Sequence, residues 1–241
     1  EALRARSQEA QGSLRLAEAP LVRAVLFVGL EEQANRLLLL AHHLVIDAVS
    51  WRIMLSDLGQ LVEQVQRGQE PGLGAKTSAW PEWARRLQEY AGSPQVQEER
   101  AYWREQVQET VPLPLDGAGG VHTVVGMQVQ EVRLSAQETR ALLQEVPAAF
   151  NTQINDVLLT AVACALGWWI GDTQVRLDLE GHGREELFAD LDLSRTVGWF
   201  TTIAPLSLPV PEPSALGAGL KRVKEALRRR DRKSTRLNSS H

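Results

Sequence analysis

A change of hydrophobic rhythm, made twice along the chain, most narrows what this sequence can fold into. Across residues 21–46 the runs LVRAVLFVG and ANRLLLLAHHLVI are separated by the polar turn LEEQ. Both are dense in Leu and Val and too short for a typical helix, so they read as strands. From Val49 the apolar residues Ile53, Leu58, Leu61, Val62 and Val65 recur at a period near 3.6, and Gly68 supplies a stop. A helix is expected there, followed by a loop over RGQEPGLGAKTS. Two further helices are expected across 78–91 and 94–108, with Trp80, Trp83, Leu87, Tyr90, Tyr102 and Trp103 as a core-packing stripe.

The segment PLPLDGAGG, residues 112–120, has the Pro and Gly density of a linker. Beyond it the alternation returns. MQVQEVRL alternates apolar and polar residues as a half-buried strand does. SAQE at 135–138 is a capping-box sequence opening a helix that carries Leu142 and Leu143. NTQINDVLLTAVACALGWWIG predicts a mostly apolar helix ended by Gly171, and TQVRLDLE alternates again. Strands mixed with helices on both sides of a linker predict an α/β protein of two similar lobes, with a first lobe over 1–111 and a second over 121–230.

Composition excludes several classes. Hydrophobic residues at 44% and charged residues at 23% are those of a globular chain with a sizeable core. No run of 18 apolar residues occurs, so no membrane-spanning helix is expected. EALRARSQEAQ lacks the apolar core of a secretory signal. The chain begins at Glu1, with Met54 and Met127 its only methionines, so it reads as an internal piece of a longer polypeptide. The single Cys164 excludes an intrachain disulfide, suits a reducing compartment such as the cytoplasm, and reads as a buried thiol. A net charge of −4 argues against a nucleic-acid partner. The basic segment KRVKEALRRRDRK carries Leu216, Leu220, Val223 and Leu227 at helical spacing through its region, which predicts an amphipathic helix with a solvated basic face.

Two constellations can carry chemistry. HHLVIDAVSW, residues 42–51, sits where a strand gives way to a helix. Successive strand residues face opposite ways, so one of His42 and His43 is expected to be held inside the scaffold and the other offered to solvent or substrate. Imidazole suits proton transfer near neutrality. Asp47 can cap the following helix or hold an arginine. A metal is not expected, because helical zinc pairs are usually four apart and no cysteine or third histidine is close. The second constellation is DLEGHGREELF, residues 178–188. Val175, Leu177 and Leu179 share one strand face and Arg176, Asp178 and Glu180 the other. Glu180 therefore leaves the strand on its polar face, just before a turn that Gly181 and Gly183 make permissive.

These segments carry a resemblance. HHLVIDAVSWRIMLSDL is similar to the His motif, HHxxxDG, of the condensation and epimerization domains of nonribosomal peptide synthetases, and its continuation into SWRI resembles the epimerization branch. The stretch 180–185 resembles the EGHGRE motif of epimerization domains at all six positions, a motif that ordinary condensation domains generally lack. SRTVGWFTTIAPL resembles the family's RTVGWFT-xx-P segment, where Trp199, Phe200 and Pro205 read as packing residues. INDVLLTAV fits a less distinctive family helix. One departure is Ala48, where the family has glycine; a positive φ there would strain the loop. The resemblance runs from about residue 10 to about 230, so the domain is expected to be truncated at both ends. DRKSTRLNSSH, 231–241, does not fit and reads as a non-native tail; it holds three basic residues and one acidic, so the rest of the chain carries −6.

The resemblance implies a bacterial enzyme of secondary metabolism, built as two chloramphenicol-acetyltransferase-like lobes, each a mixed sheet packed with helices, with a cleft between them. It implies epimerization from L to D at Cα of an aminoacyl or peptidyl thioester held on the 4′-phosphopantetheine arm of a carrier protein. No cofactor is bound directly, and the partners are an upstream peptidyl carrier protein and neighbouring synthetase domains. His43 on one lobe and Glu180 on the other would be the catalytic pair, with burial raising the carboxyl of Glu180 toward neutrality. His42, Asp47, Ser50 and His182 would support them; His182 reads equally as enolate-stabilising or structural. Trp51, Gly181, Gly183, Arg184, Arg195, Trp199 and Phe200 would be structural motif residues. A condensation domain, and a catalytically dead fragment or carrier-docking module, are the alternatives.

Overall fold

A computed structural model describes residues 2–29, 34–108, 111–115, 117, 120 and 123–234. The chain forms two compact units, Glu1–Ser93 with Glu180–Thr202, and Pro94–Leu179 with Ile203–His241.

The first unit begins with helix α1 (Ala2–Gly12), then strands β1 (Val22–Phe27) and β2 (Arg36–Ala41). These two pair antiparallel, with Val22 opposite Ala41 and Phe27 opposite Arg36. The intervening LEEQ turn lies outside the described residues. β2 stops at Ala41, earlier than the apolar run predicts, and a single 3-10 turn spans His43–Val45. Helix α2 (Ala48–Gln66) starts on Asp47, which accepts from Ser50 N–H at 2.7 Å. It ends before Gly68, whose φ of +69° only glycine adopts readily. A loop leads to α3 (Trp80–Ala91), with Pro81 in its first turn. Ile46, Ile53, Trp83, Leu187, Leu193 and Phe200 are buried. The Trp83 ring meets Phe188 at 5.4 Å and Phe200 at 6.4 Å. Of the aromatic stripe, Trp80 is not core: it is 38% exposed.

In the second unit, short helices α4 (Pro94–Glu98) and α5 (Arg100–Gln106) are followed by α6 (Ala136–Arg140), a π-helical turn Ala141–Glu145, and α7 (Val146–Phe150). Ser135 and Glu138 form the expected capping box. Helix α8 (Ile154–Ile170) ends at Gly171, φ +74°. Strands β3 (Gln174–Gly181) and β4 (Thr202–Pro209) pair, and α9 (Leu216–Ser234) closes the described chain. Ala163, Val175, Leu206, Leu208, Val223 and Leu227 make one core. The α9 stripe is as expected apart from half-exposed Leu216, but the basic face is not wholly solvated: Lys224 is buried and donates to Asn151 O. Burial holds the Cys164 thiol above its usual range. No single helix among the described residues is long and apolar enough to cross a membrane.

Two expectations change. MQVQEVRL forms no strand: Met127, Val129 and Val132 are exposed, and no neighbouring strand among the described residues offers the hydrogen bonds a strand requires. The units divide at Ser93 and Pro94 rather than within 112–120, because α5 belongs with β4: Gln106 Oε1 accepts from Ser207 N–H at 3.0 Å. Helix α9 continues through Ser234, into the first residues of 231–241, and residues 235–241 lie outside the described residues.

Candidate active site

β3 delivers Glu180 and Gly181 to the first unit, and the segment 180–202 that follows is fastened there by Arg184. Its side chain is 91% buried. Nη2 donates to Ser50 Oγ at 2.8 Å and to Asp47 Oδ1 and Oδ2 at 3.3 and 3.4 Å. Nη1 donates to the carbonyls of Leu193 and Thr196 at 3.0 and 2.8 Å, and the plane lies 3.9 Å over the Phe200 ring. Only the planar fork of arginine serves so many acceptors at once. Asp47 does both things expected of it. It caps α2, and it takes the Arg184 charge together with Phe200 N–H at 3.1 Å. Burial alone would raise its carboxyl, but hydrogen bonds from Ser50 and Phe200 and the Arg184 charge outweigh this and hold it below the usual carboxylate range.

Ser50 is fully buried and completes the clasp: its hydroxyl donates to Gly198 O at 2.9 Å and accepts from Gly198 N–H at 3.1 Å. Trp51 sits in the first turn of α2, its N–H on Asp47 O. Gly183 is where the strap passes closest, with φ +64° and an ideal Cβ position 1.7 Å from Phe200 O. A side chain there would collide with backbone. Arg195 pairs with Asp57 on α2.

The two histidines differ in exposure, though not by strand alternation, since β2 ends at Ala41 and His43 opens the 3-10 turn. His42 is half-buried, and its Nδ1 accepts from Leu44 N–H at 3.1 Å. His43 is exposed and meets the Trp199 ring edge-on at 5.9 Å. His182 is exposed; Nδ1 accepts from Arg184 N–H at 3.0 Å and Nε2 lies 3.8 Å from Glu185. Glu180 is exposed rather than buried, because it lies on the polar face of β3. His43 and Glu180, expected on opposite lobes, both fall in the first compact unit, where the Arg184 clasp ties 180–202 to the His motif. Among the described residues no hydrogen bond or ion pair joins them. Ala48 is the exposed first residue of α2, and Asn151 alone among described non-glycine residues has positive φ, so alanine brings no strain there.

Trp199 is not a packing residue, being 41% exposed between buried Gly198 and Phe200. The pairing of Gly198 with Trp80 escapes sequence reasoning. Its signal is the glycine beside Trp199: a Cβ at 198 would lie 2.2 Å from Trp80 Cδ1.

The model of the condensation-domain family matches residues 1–238. The chain belongs to that family. One of the proteins of the linear gramicidin synthase of Brevibacillus parabrevis is 49% identical over 224 residues, which cover 92% of this chain and 3% of that relative. The epimerization domain from the third module of tyrocidine synthetase B superposes with a TM-score of 0.81 at 36% identity, covering 93% of this chain and 50% of that one. The first condensation domain of the calcium-dependent antibiotic synthetase shares the fold, with a TM-score of 0.72 at 22% identity, covering 97% of this chain and 53% of that one. The chain thus spans about half the length of these solved domains. The expected α/β class and the resemblance to nonribosomal peptide synthetase domains agree with these findings.

Proposed function

We propose that the domain inverts Cα of an aminoacyl or peptidyl thioester carried on the phosphopantetheine arm of a cytoplasmic carrier protein, with His43 and Glu180 as its acid–base pair. The observation that carries this reading is the Arg184 clasp. It ties the segments HHLVIDAVSW and EGHGRE, which carry His43 and Glu180, into one unit in which both of these residues are exposed. The likeness to the tyrocidine epimerization domain supports it.

The Cα–H bond lies beside a thioester carbonyl, which sulfur donates into poorly. One of the pair takes the proton while the bonding electrons move into an enolate. The other returns a proton to the opposite face, so the configuration inverts with no net gain or loss of protons. In the complete domain, deuterium loss from Cα of a carrier-bound aminoacyl thioester is expected to slow about 10²- to 10⁴-fold in His43→Ala and in Glu180→Gln. Wild-type washout in both variants sinks the pair. Peptide-bond formation is the second reading, carried by the family match itself; condensation retained by Glu180→Gln while washout is absent from the wild type favours it.

A further inference from the structure

Trp199 is held far more firmly than a half-exposed aromatic residue needs. Gly198 N–H and O both bond Ser50 Oγ, Phe200 N–H donates to Asp47 Oδ2, and Trp80 Nε1 donates to Trp199 O at 2.9 Å. These contacts fix the backbone on both sides of Trp199 and over the residue itself. The flanking residues are buried, so the backbone turns the indole outward. Apolar packing does not account for that expense, because 41% of the residue stays exposed.

The ring contact made by the indole among the described residues is with His43, at 5.9 Å and 64° between planes. Aromatic rings at this separation attract in preferred edge-on or offset arrangements, so the contact is directional. His43 lies in a one-turn 3-10 segment, and its side chain makes no hydrogen bond among the described residues. The imidazole has no other ring contact among the described residues. We propose that Trp199 is a positioning residue, whose clamped indole holds the His43 ring in the orientation from which it exchanges a proton with substrate. This inference rests on the acid–base reading of His43.

The test uses the complete domain in two ways. In Cα deuterium washout, Trp199→Ala is expected to lower kcat about 10- to 100-fold with KM nearly unchanged, and Trp199→Phe to recover most of the loss. In proton NMR, Trp199→Ala is expected to move the His43 ring-proton resonances, identified by their loss in His43→Gln, because the indole ring current is removed. Trp199→Phe retains much of that displacement. Unchanged kcat in Trp199→Ala, or unmoved His43 resonances, overturns the proposal. If the wild-type domain washes out no deuterium, the epimerization reading fails, and the resonances alone decide whether Trp199 positions His43.

Discussion

Asp47 and Arg184 show how one buried pair serves a surface site. Neither can be removed singly without leaving the other's charge buried, at a cost of about 3–5 kcal/mol. Asp47→Ala also loses the cap of α2, worth about 1 kcal/mol. A marked fall in the urea midpoint is therefore expected for Asp47→Ala. Arg184→Lys is expected to be clearly destabilised as well, since an ammonium cannot reproduce the fork that reaches Asp47, Ser50, Leu193 and Thr196. An unchanged midpoint in Asp47→Ala overturns the clasp. Its pH dependence has a definite sign. The Asp47 carboxyl lies below its ordinary value in the folded state, so its contribution is complete above the unfolded value of about 3.9 and is lost as pH falls through the folded one. The stability difference between wild type and Asp47→Asn, read from urea curves, is expected to be constant near neutrality and to shrink below about pH 4.

Among the elements, the strap 180–202 is the most sensitive to its backbone. Gly183 combines a φ of +64° with a Cβ position inside the Phe200 carbonyl, so Gly183→Ala meets both a conformational and a steric penalty. A loss above about 2 kcal/mol is expected by thermal unfolding. Gly181→Ala, whose nearest atom is Thr202 Oγ1 at 3.0 Å, is expected to lose less. Equal losses show that the close approach at 183 is absent. The element boundaries were legible wherever the signal was local. Ser135 with Glu138, Asp47 with Ser50, and the left-handed Gly68 and Gly171 act across a few residues. The strand expected over 127–134 was misread because alternation reports the capacity to pair, and a partner strand must also exist.

For the whole molecule, that unpaired segment gives a direct test. Arg133 has an 84% exposed side chain in a stretch without regular structure. Trypsin is expected to cut after Arg133 among its first cleavages, as read by mass spectrometry. Protection of that bond means the segment is paired in solution.

The sequence by itself determined the alternation of strands and helices, most caps and stops, and the two motifs that mark the family, because each depends on residues close along the chain. It also implied that Asp47 could cap a helix or hold an arginine. Tertiary structure decided that Asp47 does both, that Glu180 joins the unit of His43, and that Trp199 faces outward against His43. Those outcomes rest on bonds between residues 119 to 153 positions apart, such as Trp80 with Trp199, Arg184 with Ser50 and Phe200 with Asp47. Periodicity carries no record of contacts at such separation. They form only when burial forces each polar group to find its partner.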